Sequence, residues 1–160
     1  MKKLFLLFAL FTGSLLGQTT FAQVTFRANL SVQPIWGPTG YDHVEYYYLP
    51  DIDAYYYVPG HKYVYREGNN WISRSSLPAR NRNTDLYNTR KVVINDSKPY
   101  LRHDEYKARY ASNERVHQDA IRDSHESKYF ENKNHPEHSK WKESQKQEKH
   151  HGSDNEKRHD

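Results

Sequence analysis

The chain has 160 residues, among them 24 Lys or Arg, 20 Asp or Glu, 10 His and no Cys; 35% of it is hydrophobic, and its mean hydropathy is −1.13. That length suits one domain, but so polar a composition cannot supply one uniform core, so a small folded unit plus a solvated segment is expected and multi-domain enzyme architectures are excluded. Without Cys there is no disulfide, no nucleophilic thiol and no attachment point for a bacterial lipid anchor.

Met1-Lys2-Lys3 is a positive start, Leu4 to Leu16 an apolar run interrupted by Thr12, Gly13 and Ser14, and Thr20-Phe21-Ala22 a small-residue cleavage sequence. Residues 1–22 therefore read as a signal peptide cleaved after Ala22. The apolar run is shorter than the roughly 18 residues a spanning helix needs, and no later stretch approaches that length, so an exported protein, periplasmic or secreted and without a membrane span, is expected. Losing Lys2 and Lys3 leaves 22 basic against 20 acidic residues. With the signs interleaved rather than clustered, nucleic acid is not an expected partner.

After an extended stretch at 23–41, residues 42–99 hold the foldable sequence. Val44–Leu49, Ala54–Val58, Lys62–Arg66 and Trp71–Ser73 are rich in Tyr and β-branched residues, and each gap between them contains Pro, Gly, Asn or Asp. Arg90–Ile94 adds one more strand, while Pro78 to Arg90 reads as loop. The predicted fold is small and mainly β, an antiparallel meander of three to five short strands. A unit of this size without disulfide or metal has a small core, so marginal stability, a partner or self-association is expected.

Register decides where the tyrosines point. A two-residue type II turn at Pro59-Gly60 would splay the strands, so a three-residue loop, Pro59-Gly60-His61, is the predicted closure. Tyr57 then faces Tyr63 and Tyr55 faces Tyr65, which makes Tyr55, Tyr57, Tyr63 and Tyr65 one aromatic face, with Tyr56 and Val64 behind it. Such a stripe serves either as core or as a surface that stacks on sugar rings.

Residues 100–160 hold only Leu101, Val116, Ile121 and Phe130 among Leu, Val, Ile and Phe, with 13 acidic and 13 basic side chains. The prediction is a charged, mostly disordered tail, transiently helical between Tyr100 and Tyr110 and near Trp141. Eight of the His lie here, and His135, His138, His150 and His151 form two close pairs. Imidazoles at that spacing can chelate Zn, Ni or Cu, so no cofactor is expected beyond a loosely bound divalent transition metal. Nucleophile-elbow, zinc-protease and phosphate-loop motifs are absent from the sequence, so no catalytic residue is assigned and the chain is not read as an enzyme. The leading functional reading is an exported envelope protein whose β unit is a binding or interaction module for an envelope protein or glycan. Metal sequestration by the tail and glycan binding on the tyrosine face are the alternatives.

The run Tyr46-Tyr47-Tyr48-Leu49-Pro50-Asp51-Ile52-Asp53-Ala54-Tyr55-Tyr56-Tyr57, followed by Tyr63-Val64-Tyr65, Trp71-Ile72-Ser73, Leu77-Pro78 and Lys91-Val92-Val93-Ile94-Asn95-Asp96, resembles uncharacterised, exported, tyrosine-rich proteins of Gram-negative bacteria. The resemblance spans about residues 41–100. It implies a bacterial envelope setting and brings no catalytic residue with it.

Overall fold

The structure, a computed structural model, describes residues 28–111 and 117–156, with side chains to residue 148; the predicted leader lies outside them. Five antiparallel strands form one sheet: β1 Tyr46–Leu49, β2 Ala54–Tyr57, β3 Lys62–Glu67, β4 Asn70–Arg74 and β5 Val92–Ile94. Their order is β4-β3-β2-β1-β5, a meander extended at one edge by the returning β5. The turn residues do what their chemistry dictates. Pro50 opens a single 3-10 turn and Asp53 closes it in the left-handed region at φ 51°, while Gly68 at φ 61° starts the two-residue β3–β4 turn.

The β2–β3 register differs by one residue from the sequence expectation. His61 itself takes a left-handed conformation, φ 50°, and its N–H bonds back to the Val58 carbonyl at 3.2 Å. The connection is therefore an even, four-residue one, Val58 to His61, and Tyr57 pairs with Lys62, Tyr56 with Tyr63, Tyr55 with Val64 and Ala54 with Tyr65. The three-residue loop would have kept Val58 in the strand opposite Lys62, whereas the structure sets Tyr57 there and draws Val58 into the turn. A one-residue shift exchanges faces, so Tyr55 and Tyr57 lie on one side of the sheet and Tyr63 and Tyr65 on the other.

Each face carries its own aromatic layer. On the first, Tyr46, Tyr48, Tyr55, Val64 and Ile94 are buried together with Tyr106, flanked by Tyr57, Trp71, Val92, Tyr100 and Tyr110. On the second, Val44, Tyr47, Leu49, Tyr56 and Val58 pack against Val32, Trp36, Ile52, Tyr63, Leu86 and Val93. The first layer is roofed by a 3-10 turn, Pro99–Arg102, running into helix α1, His103–Arg109. His103 and Tyr106 are three residues apart and so share the helix face turned to the sheet. Asp104 and Glu105 in the first turn, and Lys107 and Arg109 in the last, suit the helix dipole.

Composition predicts a solvated chain from residue 100 onward, and here the structure differs. Besides α1, the segment 117–138 packs on the N-terminal stretch: Thr39 N–H donates to Asp119 O, Ile121 N–H to Gly37 O and Arg122 N–H to Ile35 O, each at 2.9 Å. Leu30, Ile121 and Tyr129 form a small third cluster. Asn132 is buried, and its side-chain amide donates to Leu30 O and Gln33 O. The segment needs few apolar residues because it borrows them from residues 28–44 and satisfies its backbone on theirs. Helix α2, His138–Glu156, follows where transient helix was expected near Trp141.

Candidate binding site

Where the β3–β4 hairpin meets the start of α1, an open cavity of about 370 Å³ is lined by Arg66, Trp71, Tyr100, Leu101, Arg102, His103, Asp104 and Glu105. Strand pairing sets Arg66 directly across from Trp71. Lys98, at φ 50°, swings the chain over the sheet, and the turn it opens brings the Tyr100 ring to 5.7 Å from Trp71 at an interplanar angle of 47°. The His103 ring stands 5.0 Å from Trp71, and Tyr55 lies beneath at 5.8 Å. Trp71 and Tyr100 are half-buried. Leu101 is 68% exposed at the rim, the most exposed large apolar side chain among the described residues.

The floor of this opening is a closed polar network. The Tyr55 hydroxyl and His103 Nδ1 are 3.1 Å apart, and His103 Nε2 is 3.8 Å from Asp53 Oδ1. The carboxylate facing Nε2 favours a proton there, which leaves Nδ1 to accept from the phenol. Asp53 also accepts from Tyr48 Oη at 3.1 Å and pairs with the Lys107 ammonium. Burial opposes ionisation of Asp53, but the bonds from Lys107 and Tyr48 outweigh it and hold its carboxyl below the usual range. Burial pushes the Tyr55 hydroxyl up, with Tyr48 adding to it. Burial pushes His103 below its ordinary value, Lys107 and Arg66 adding to the shift against the pull of Asp53 and Asp104. The imidazole is thus neutral, with Nδ1 bonded to the Tyr55 hydroxyl and Nε2 turned towards the Asp53 carboxylate.

Of the four tyrosines read as one binding face, Tyr55 borders this opening from within at 0% exposure. Tyr57 lies farther along the same side of the sheet, and Tyr63 and Tyr65 are behind it. The stripe is therefore divided between two layers. Of the proposed metal ligands, His135 and His138 are engaged within the fold. His135 is 4% exposed; its Nε2 meets Ser124 O at 3.2 Å and its Nδ1 accepts from Glu137 N–H at 3.1 Å, so both nitrogens hold the fold. His138 Nδ1 meets Phe130 O at 2.8 Å. His150 and His151 fall in α2, where side chains lie outside the described part. Among the described residues there is no group of three or more His, Cys, Asp or Glu placed to hold a metal.

Sequence reading missed Tyr100, His103 and Tyr106 because it ended the folded unit at residue 99. The available signal was Pro99 followed by aromatic or imidazole residues at one-helix-face spacing. A second opening, of about 460 Å³, lies on the opposite side between Trp36, Tyr56, His61 and Asn134, but no Arg, Lys, Asp or Glu lines it. Comparison with family models, curated proteins and solved structures returns no match for this chain.

Proposed function

We propose that the chain is an exported, non-enzymatic binding module that holds a glycan chain of the cell envelope in the opening between Trp71 and Tyr100. One observation carries this reading: half-exposed Trp71 and Tyr100 rings are rimmed by two guanidinium groups, Arg66 and Arg102, and two carboxylates, Asp104 and Glu105. Sugars present apolar C–H faces that lie on aromatic rings and hydroxyls that pair with planar, multidentate side chains, and this opening supplies both. Its openness suits a polymer that runs through rather than a small molecule that is enclosed. Tyr55 and His103 bond to each other beneath it, and Asp53 accepts from Tyr48 and Lys107, which favours holding over turnover.

The test is co-sedimentation of the chain lacking residues 1–22 with insoluble peptidoglycan from a Gram-negative cell. Retention is expected to fall at least fivefold in Arg66→Ala combined with Leu101→Asp, both exposed positions, and to stay unchanged in Lys62→Ala. No retention of the unaltered chain, or equal retention of all three, contradicts the reading.

A further inference from the structure

The two edges of the sheet are treated differently. In an antiparallel ladder the N–H and C=O of alternate residues point to opposite neighbours. Glu67 and Asn70 flank the two-residue turn, so they, Tyr65 with Ile72 and Tyr63 with Arg74 exchange the β3–β4 bonds. Trp71 and Ser73 therefore direct their backbone groups away from the sheet. Among the described residues, none donates to or accepts from these groups except the Arg74 side chain, a long 3.5 Å contact to Ser73 O. At the other edge, the outward N–H and C=O of Lys91, next to β5, are both taken by the Gln118 side-chain amide at 2.9 Å. Among the described residues, the groups of Lys91 beside β5 are thus closed by the chain itself, whereas those of both outward residues of β4 are left open.

We propose that the β4 edge pairs with β4 of a second copy of this chain, joining two sheets into one continuous ten-stranded sheet. The register follows from the groups available. Centring the two-fold on Ile72 sets Trp71 opposite Ser73 of the second copy and Ser73 opposite its Trp71, so every outward N–H and C=O of both copies is used. Shifting the centre to Trp71 or to Ser73 uses only one such pair within the strands and runs the rest into turn residues. In the Ile72-centred register the side chains also agree. Ile72 meets Ile72, Arg74 meets Asn70, and Glu67, next to Asn70 on the same face, lies about 10 Å across two strands from Arg74 of the second copy, within reach of that long side chain. No like charges stand opposite one another. A continuous sheet also protects a polar-flanked edge that no proline or inward charge blocks, and it enlarges a core that is small for a domain without disulfides.

Opposed residues share a face, so both copies present Trp71 on the same side, as diagonal neighbours about 7–8 Å apart at the Cα atoms. The two openings then lie side by side, and a polymer can engage both. The pairing itself does not depend on what those openings bind.

Sedimentation velocity of the chain lacking residues 1–22, from about 1 to 500 µM, tests this, with thermal melts run on the same samples. A concentration-dependent shift from monomer to dimer is expected. Ser73→Pro removes an N–H the monomer does not use and is expected to keep the dilute-sample melting temperature while weakening dimerisation at least tenfold. Ile72→Lys places two ammonium groups opposite each other and is expected to do the same, so the conclusion does not rest on one variant. Val93→Lys, on the other edge strand, is expected to leave dimerisation unchanged in whatever fraction folds. A wild-type monomer across the range, including one that instead takes up an extended peptide along β4, overturns the proposal, and so does a dimer indifferent to both β4 variants.

Discussion

The carboxamide of Gln118 imitates a missing strand: its oxygen accepts the Lys91 N–H and its nitrogen donates to the Lys91 carbonyl, both at 2.9 Å. A side chain beyond residue 100 thereby completes the backbone bonding next to β5. Removing it is expected to destabilise the fold: Gln118→Ala leaves two backbone groups unpaired and should cost about 1–3 kcal/mol. Truncation after Ala111 should cost more, since it also strips Ile121, Tyr129 and Asn132 from the N-terminal stretch. Thermal melts of both variants check this; a truncated chain that melts with the full one would show that the segment adds nothing.

Lys91 itself is buried at 3% exposure, and its ammonium donates to Tyr87 O at 2.9 Å. Burial lowers its pKa to about 8, against the opposing influence of Asp85 and Asp51. The folded state thus holds a charge it disfavours at neutral pH, and stability should rise as pH climbs from about 8 towards 10.5, where the unfolded chain also loses the proton. Lys91→Met keeps the volume and removes the charge, so at pH 7 it is expected to stabilise by about 1–3 kcal/mol. Denaturant unfolding at pH 7 and pH 10 measures this, and a loss of stability at pH 7 would contradict it.

The strand positions and turns were legible in the sequence because propensity and punctuation agreed: Tyr46–Leu49, Ala54–Tyr57 and Lys62–Glu67 sit between Pro, Gly and Asn signals. The β2–β3 register was not, because it turns on His61 adopting φ 50°, a conformation that composition assigns to Gly or Asn. Nor was the packing of residues 117–138. Its stabilising groups are polar, such as Asn132 on two carbonyls and the Tyr129 hydroxyl accepting from Gly40 N–H, and a count of aliphatic residues cannot register them. Tyr100 and His103 were hidden by the same boundary, so the opening they line was assembled from two segments that the sequence reading kept apart.

Tyr55 and His103 give a pH signature. Because His103 sits below its ordinary value of 6.5, the unfolded chain takes up a proton the folded one refuses. The neutral imidazole's contribution is fully present above about pH 6.5 and is lost as pH falls below it. Asp53, held low, loses its contribution only in a later window, below its usual 3.8. The expected result is a melting temperature that declines between pH 7 and pH 5 and a shallower decline in His103→Phe. Parallel slopes would remove His103 as the cause.

His135 distinguishes a structural imidazole from a metal ligand. His135→Ala is expected to cost about 2 kcal/mol through a lost buried ring and an unpaired Ser124 carbonyl, whether or not zinc or nickel is present. A His135→Ala variant as stable as the parent but with weaker zinc binding by calorimetry would restore the metal reading for this residue.

Sugar binding in the opening between Trp71 and Tyr100 is open to direct observation. The most direct measurement is an amide and indole NMR titration of the isotope-labelled chain with soluble peptidoglycan oligosaccharides. Saturable shifts are expected at the Trp71 indole, Tyr100, Leu101 and Arg66, with Trp36 and Trp141 unmoved. Shifts confined to the Trp36–Tyr56 side, or none at millimolar ligand, would contradict it.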